Sequence, residues 1–314
     1  MDFNIRIFFY FIVLYFLSVS AWYFLLIILK IYVFSLYIKL IYSIIKYKAF
    51  FIFILEVRFL AAYEEFASVY DIFMDNMDYD MWVEYIHRIW DKENIKPKLI
   101  AELGCGTGNI TGRLAKEGYD MIGIDISEEM LSVAKTKAEE DGSKNILYLL
   151  QDMTEFELYG TVDVILCLCD SINYITEYDD LVQVFKLVNN YLEPNGLFIF
   201  DINTEYKFKH ILGDNTFADT EENAAYIWQN FYDENEKINE YYVNFFIKNN
   251  DDTYERTEEY HYERAYTLDE IKNALSEAGL IFENSYNAFS FDEPKYDSQR
   301  VYIIAREHGK IQEA

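Results

Sequence analysis

The sequence predicts an α/β protein built on a doubly wound, mostly parallel sheet, and three observations carry that expectation. After Pro97, short apolar runs alternate with amphipathic helical stretches, the rhythm that lays parallel strands side by side through crossover helices. The first run ends in a glycine-rich turn, Gly104-Cys105-Gly106-Thr107-Gly108. The second and third runs are each followed by an acid, Asp125 and Asp152.

Element by element, the first strand covers residues 98–103 and a helix follows over 109–116. Gly118 stops that helix, glycine being the residue that takes the left-handed position after a helix end. Strand two, 119–124, meets Asp125, and Ser127 then caps a helix whose first turn carries Glu128 and Glu129, as the helix dipole favours. Strands three and four fall at 146–150 and 162–168. A helix over 179–192 places Leu181, Val184, Phe185, Val188 and Leu192 on one face. Pro194-Asn195-Gly196 turns the chain into strand five at 197–200. Thr267-Leu268-Asp269-Glu270 is a capping box; its helix ends at Gly279, and 280–286 with 300–305 read as a closing pair of strands.

Residues 205–266 break the rhythm. Three strands are expected there, at 226–232, 241–247 and 254–266, with polar turns between them. An antiparallel meander inserted at this point stands above the carboxyl ends of the parallel strands, where open α/β sheets bind ligands.

The glycine turn suits close approach of backbone to a ligand. Its spacing is G-x-G-x-G with Glu102 two residues ahead, whereas dinucleotide-binding turns require G-x-G-x-x-G; the third position after Gly106 is Asn109. The two acids stand where an adenosine ligand would need them. Asp125 can accept from both ribose hydroxyls, and Asp152 from the adenine amino group with Gln151 and Met153 beside the ring.

With these residues in place, the chain resembles the class I S-adenosylmethionine (SAM) dependent methyltransferases. The resemblance rests on residues 102–108, on Asp125-Ile126-Ser127-Glu128-Glu129-Met130-Leu131 and on Leu192-Glu193-Pro194-Asn195-Gly196. It extends to a bacterial small-molecule-type subgroup through Tyr70-Asp71, Trp82, Asp170-Ser171-Ile172-Asn173-Tyr174, Asp201-Ile202-Asn203-Thr204 and Glu263-Arg264-Ala265-Tyr266. More distantly, the chain is similar to sugar-amine and glycine N-methyltransferases. The resemblance implies a Rossmann-like seven-stranded sheet with the last strand antiparallel and SAM as cofactor. It implies that Glu102, Gly104, Cys105 and Gly106 pass the methionine part, that Asp125 holds the ribose, that Gln151, Asp152 and Met153 hold adenine, and that Ile126 and Met130 also bind the cofactor. Tyr70 and Trp82 would close the site.

Composition narrows the rest. Residues 1–60 lack glycine and proline and carry a net +4; the whole chain carries −27, so residues 61–314 hold −31. Such acidity disfavours nucleic-acid substrates, which demand a basic footprint. Residues 7–29 run 23 positions without a charge, long enough to span a bilayer. Lys30, Lys39, Lys46 and Lys48 follow, and would keep the domain at 61–314 on the cytoplasmic membrane face, where SAM is found. The competing reading is a start assigned too early in AT-rich sequence. Cys105, Cys167 and Cys169 read as reduced, buried thiols; no Cys/His cluster has metal-ligand spacing, and no metal is expected.

Methyl transfer from a sulfonium is an in-line displacement governed by positioning, so no nucleophilic triad is required. Asn173, Tyr174, Asn203 and His261 are the residues expected to face the methyl group, with His261 suited to act as a base near neutral pH. Tyr226, Trp228, Phe231 and Tyr232 offer ring faces to a cationic or amine acceptor. The acceptor expected is a small molecule methylated at nitrogen or oxygen. The alternatives are a nicotinamide-dependent oxidoreductase, a SAM-binding regulator or scaffold without turnover, and a protein methyltransferase.

Overall fold

The computed structural model describes residues 71, 77–221, 224–249 and 252–310. The membrane span expected at 7–29 and the candidate Tyr70 lie outside them. Among the described residues, no helix is long and apolar enough to cross a membrane.

In chain order the main elements are α1 (Tyr79–Glu93), β1 (Leu99–Leu103), α2 (Asn109–Lys116), β2 (Asp120–Asp125), α3 (Glu128–Glu140), β3 (Ile146–Leu150), β4 (Val162–Cys167), α4 (Tyr178–Tyr191), β5 (Leu192–Asn203), β6 (Thr216–Thr220), β7 (Ala224–Asp233), β8 (Ile238–Lys248), β9 (Tyr254–Arg264), α5 (Leu268–Glu277), β10 (Ile281–Asn287) and β11 (Arg300–Arg306). A 3-10 turn, Ser171–Tyr174, follows β4, and a π-helical turn, Lys207–Leu212, follows β5. The helix starts obey their caps. Asp78 accepts from Met81 N at 2.9 Å, Ser127 accepts from Met130 N at 3.2 Å, and Thr267 with Glu270 forms the complete capping box.

Seven strands form one sheet in the order β10-β11-β5-β4-β1-β2-β3. Its pairings are parallel except at β11, which runs antiparallel to both β5 and β10. Both faces of the central strands are covered, so those strands are largely apolar. Ala101, Ile165, Phe198, Phe200 and Ile303 pack with α4 and α5 on one face. Their strand neighbours Ile100, Val164, Leu166, Ile199 and Tyr302 pack with α1 and α2 on the other, as a period of two requires.

Two local expectations change. Pro194-Asn195-Gly196 does not precede β5 but interrupts it: Leu192 pairs with Val162 and Leu197 with Val164, with a bulge between. Asn195 takes φ +64° there. The inserted meander has four strands, order β6-β7-β8-β9, rather than three. The additional strand, β6, is short, largely exposed and polar, so it carries no hydrophobic alternation by which a strand is recognised.

Candidate active site

The carboxyl ends of β1, β2 and β3 converge on the glycine loop. Gly104 has φ +67°, and a Cβ there would stand 2.6 Å from Ser171 Oγ. Gly108 has φ +74°, and its Cβ would stand 2.5 Å from the Tyr148 hydroxyl. Both positions are therefore closed to side chains by conformation and by neighbours. Gly106 is different: a Cβ would meet nothing within 4 Å, so the backbone is bare on an open side.

Asp125 ties this loop to the next helix. Its Oδ2 accepts from Gly106 N at 2.8 Å and its Oδ1 from Ser127 N at 2.9 Å. The backbone N–H of Ile126 adds to these two. Burial raises the Asp125 carboxyl above its ordinary range, against the backbone hydrogen bonds that hold the charge. Glu102 lies beneath the loop, 3% exposed, and accepts from the Thr111 hydroxyl. Burial, reinforced by the Asp125 charge, pushes Glu102 up to about 7.

The other cofactor candidates divide. Asp152 Oδ1 accepts from Thr154 N and Oγ1, both at 2.7 Å, an Asx turn that holds the carboxylate at the end of β3. Met153 lies over the loop, its Cε 3.6 Å from the position of a Gly104 Cβ. Met130 is buried and Ile126 half-buried. The Gln151 side chain is engaged elsewhere: its Oε1 accepts from Glu157 N at 3.0 Å, closing the loop after β3. Cys105 is buried, with Sγ 3.0 Å from the position of a Gly123 Cβ, so its thiol packs under the loop and only its backbone is presented. Trp82 is also core, 2% exposed, with its ring edge-on to Phe289 at 5.1 Å.

Two supports were not anticipated. Tyr148 crosses from β3 over Gly123 to Gly108. Asp71 accepts from Thr107 Oγ1 at 2.8 Å, Asn109 Nδ2 at 3.0 Å and Lys137 Nζ at 3.0 Å. Burial opposes ionisation of Asp71, but these donors outweigh it and hold the carboxyl below its usual range. Asp71 thus clips the chain ahead of α1 to the rim of the glycine loop.

On the far side, past β4 and β5, charged side chains take over from backbone. Cys169 and Asp170 have φ +55° and +59°, left-handed conformations that cost non-glycine residues roughly 1–3 kcal/mol each and gather at functional sites. Arg300, at the start of β11, donates to Asp170 Oδ1 at 2.7 Å and also to Asp201 Oδ2. Its guanidinium lies 5.2 Å from the Trp82 ring. Asn203 Nδ2 donates to Asp170 Oδ2 at 2.7 Å and, more distantly, to Glu263 Oε2 at 3.4 Å. Lys207 Nζ donates to Asn203 Oδ1 at 2.8 Å, and Tyr241 hydrogen-bonds Glu263.

Of the residues expected to face the methyl group, Asn173 is fully occupied. Its Nδ2 donates to Asn203 O at 3.1 Å and Arg264 O at 2.9 Å, and its Oδ1 accepts from Asn203 N at 2.9 Å. The side chain clasps β5 and β9 to the 3-10 turn. His261 Nε2 lies 2.9 Å from Glu259 Oε2, both residues buried, and the Tyr174 ring stands edge-on to the imidazole at 5.8 Å. The aromatic set splits by strand alternation: Tyr226, Trp228 and Tyr232 share the face that carries Tyr241, whereas Phe231 lies on the opposite face, 54% exposed. No sequence signal marked Arg300 or Lys207, and Glu263 entered only within the stretch Glu263-Arg264-Ala265-Tyr266, because only β11 and the inserted sheet bring the three together.

Known proteins bear on this geometry. Residues 100–196 match the model of a methyltransferase domain. The chain is 36% identical over 250 residues to YqeM of Bacillus subtilis (strain 168), a protein provisionally named a methyltransferase, with 79% of this chain and 98% of that one covered. It is similar to the crystal structure of a S-adenosylmethionine-dependent methyltransferase from Clostridium acetobutylicum ATCC 824, at 32% identity and TM-score 0.71, covering 79% of this chain and 99% of that one. The sugar N-methyltransferase KedS8 from Streptoalloteichus sp ATCC 53650 shares the fold, with TM-score 0.64 at 17% identity, over 77% of this chain and 93% of its own. A Rossmann-like sheet with its one antiparallel strand, and a glycine loop joined to an acid after β2, define the class. The chain belongs to the class I S-adenosylmethionine-dependent methyltransferases.

Proposed function

We propose that this methyltransferase acts on nitrogen or oxygen of a small molecule, with the cofactor on the β1–β3 edge and the acceptor under the inserted sheet at 205–266. The observation that carries this reading is the state of Asp125. Its two oxygens are fixed by the backbone N–H groups of Gly106 and Ser127, which holds the carboxylate in place for a ribose diol. Gly106, bare and open, suits the methionine part, and Asp152, fixed by Thr154, suits the adenine amino group. SAM supplies a methyl group on a sulfonium, which needs no further activation. What remains for the chain is to aim the acceptor atom, exclude water and remove a proton.

Asn173 acts by position, holding the 3-10 turn against β5 and β9. An oxygen acceptor would draw on His261, whose ring is oriented by Glu259, an arrangement common to imidazole bases. The fold shared with KedS8, a sugar N-methyltransferase by its title, accords with a nitrogen acceptor.

Calorimetry on the full chain tests the assignment. SAM and S-adenosylhomocysteine should bind with micromolar affinity, about −8 kcal/mol, and Asp125→Ala should weaken both roughly 100-fold, about 2.7 kcal/mol, with circular dichroism unchanged. Undiminished affinity in the variant would remove Asp125 from the ribose site.

A further inference from the structure

The acceptor side of the site is built with a surplus of acid. Asp170, Asp201 and Glu263 face only two cations, Arg300 and Lys207, within one hydrogen-bonded set. Arg300 is committed to Asp170 and Asp201. Lys207 Nζ rests on the Asn203 amide oxygen. Among the described residues, Glu263 has no cation within salt-bridge distance, although it is 2% exposed; its contacts are the Asn203 amide and the Tyr241 hydroxyl.

Two further observations point the same way. Asp201 Oδ1 and Asn239 Oδ1 are buried acceptors without a donor among the described residues. Asn239 is the cross-strand partner of Glu263, so one orphan acceptor stands directly beside it. These acceptors are open to a donor from a ligand, as are the hydroxyls of their cross-strand neighbours Tyr302 and Tyr232. A cleft of about 500 Å³ reaches this set at Lys207 and Arg300; its outer wall, from the β10–β11 connection, includes Asp292, Glu293 and Asp297 against Lys295. Its charged lining is balanced, Lys207, Lys295 and Arg300 against Asp292, Glu293 and Asp297, so the surplus of acid lies in the inner set and not in the approach.

Resting on the acceptor side of the reading above, we propose that the methyl acceptor is an amine that arrives as an ammonium ion, and that Glu263 is the carboxylate that binds the ammonium and takes its proton. The ammonium N–H bond breaks and its proton passes to Glu263. The nitrogen lone pair so freed forms the new N–C bond as the carbon–sulfur bond breaks toward sulfur. The product leaves as a methylated ammonium and the Glu263 proton returns to solvent.

The surroundings suit that role. Burial, with the Asp170 charge added, raises Glu263 well above the ordinary carboxyl range, while Lys207, Asn203 and Tyr241 pull it back. The groups facing it are Asp170 and Asp201 from the strand ends, Lys207 from the π-helical turn, Tyr241 from β8 and Arg300 from β11; His261, two residues back on its own strand, is engaged with Glu259. The Asn173 clasp, through Arg264 O, fixes the end of β9 that carries Glu263 against the strand ends where the methyl group is delivered.

The test uses the full chain with cyclohexylamine and glucosamine as probes, and cyclohexanol and glucose as matched oxygen controls. Calorimetry should show the amines binding and the alcohols not, with amine affinity lowered at least tenfold in Glu263→Gln. With labelled SAM, the amines should be methylated and the alcohols not. Glu263→Gln should lower kcat/KM for amines about 100-fold near neutral pH, within the range expected of a proton-transfer residue, with SAM affinity unchanged. Its rate should recover as pH approaches the amine's own pKa, and Glu263→Asp should restore part of it. Turnover of the alcohols alone, amine affinity undiminished in Glu263→Gln, absence of amine methylation while SAM binds, or an undiminished Glu263→Gln rate would each overturn the proposal. Failure of SAM itself to bind would instead strike the cofactor assignment.

Discussion

The two halves of the strand-end surface solve the same problem of ligand placement by different means. On the β1–β3 side the contacts come from backbone, with one carboxylate, Asp125, binding two N–H groups. Its parts lie within a short stretch of chain. On the β4–β5 side the contacts are between side chains, and Arg300 reaches Asp170 across 130 positions of sequence. The first half is a preset cradle, whose geometry follows from local conformation. The second is an electrostatic lattice, whose geometry holds only while every charge is answered.

That contrast can be broken most forcefully at Arg300. Arg300→Met leaves Asp170 and Asp201 buried and facing one another, and unfolding in urea should show a loss of about 3–5 kcal/mol. SAM affinity of the folded variant should stay within a few-fold of the parent; an equal fall in affinity would erase the distinction between the halves. Next comes Glu102, which burial lifts from 4.5 to about 7. The folded chain then keeps a proton that the unfolded chain loses, so this stabilisation is complete below about 4.5 and lost as pH rises to about 7. Without SAM, the parent should lose about 3 kcal/mol across that window relative to Glu102→Gln. Parallel stability curves would mean that the carboxyl under the loop is not desolvated. The smallest effect belongs to Gly104→Ala, where φ +67° and Ser171 Oγ at 2.6 Å both object. SAM affinity should weaken by about 1–3 kcal/mol, and adding Ser171→Gly should recover only the steric share.

The sequence was readable where function is local. Residues 109–116 and 146–150 form the expected helix and strand, and Glu102, Asp125 and Asp152 stand at the predicted strand ends, because a strand, a turn and a cap each announce themselves within a few residues. The β4–β5 side was read less fully: Asp170, Asp201, Asn203 and Glu263 fell within the stretches that carry the resemblance, but their mutual contacts were not legible. In β9, Tyr260 and Tyr262 are 52% and 46% exposed while Thr257, Glu259, His261 and Glu263 are buried. Hydrophobic alternation assumes an apolar interior, and here the interior is a polar site. Arg300 opens an ordinary apolar strand, and nothing near it in sequence marks it as the counter-charge of Asp170.

The place of β11 also sets a timetable for synthesis. It lies between β5 and β10 in the sheet although it follows both in the chain. Until residues 300–306 emerge from the ribosome, β5 is an open edge with its backbone groups unpaired, and Asp170 and Asp201 lack their guanidinium. The cradle can close on a nascent chain, but the lattice cannot. A chain stalled before β11 would therefore carry most of the cofactor-side residues beside a bare sheet edge, a form suited to capture by chaperones and to aggregation.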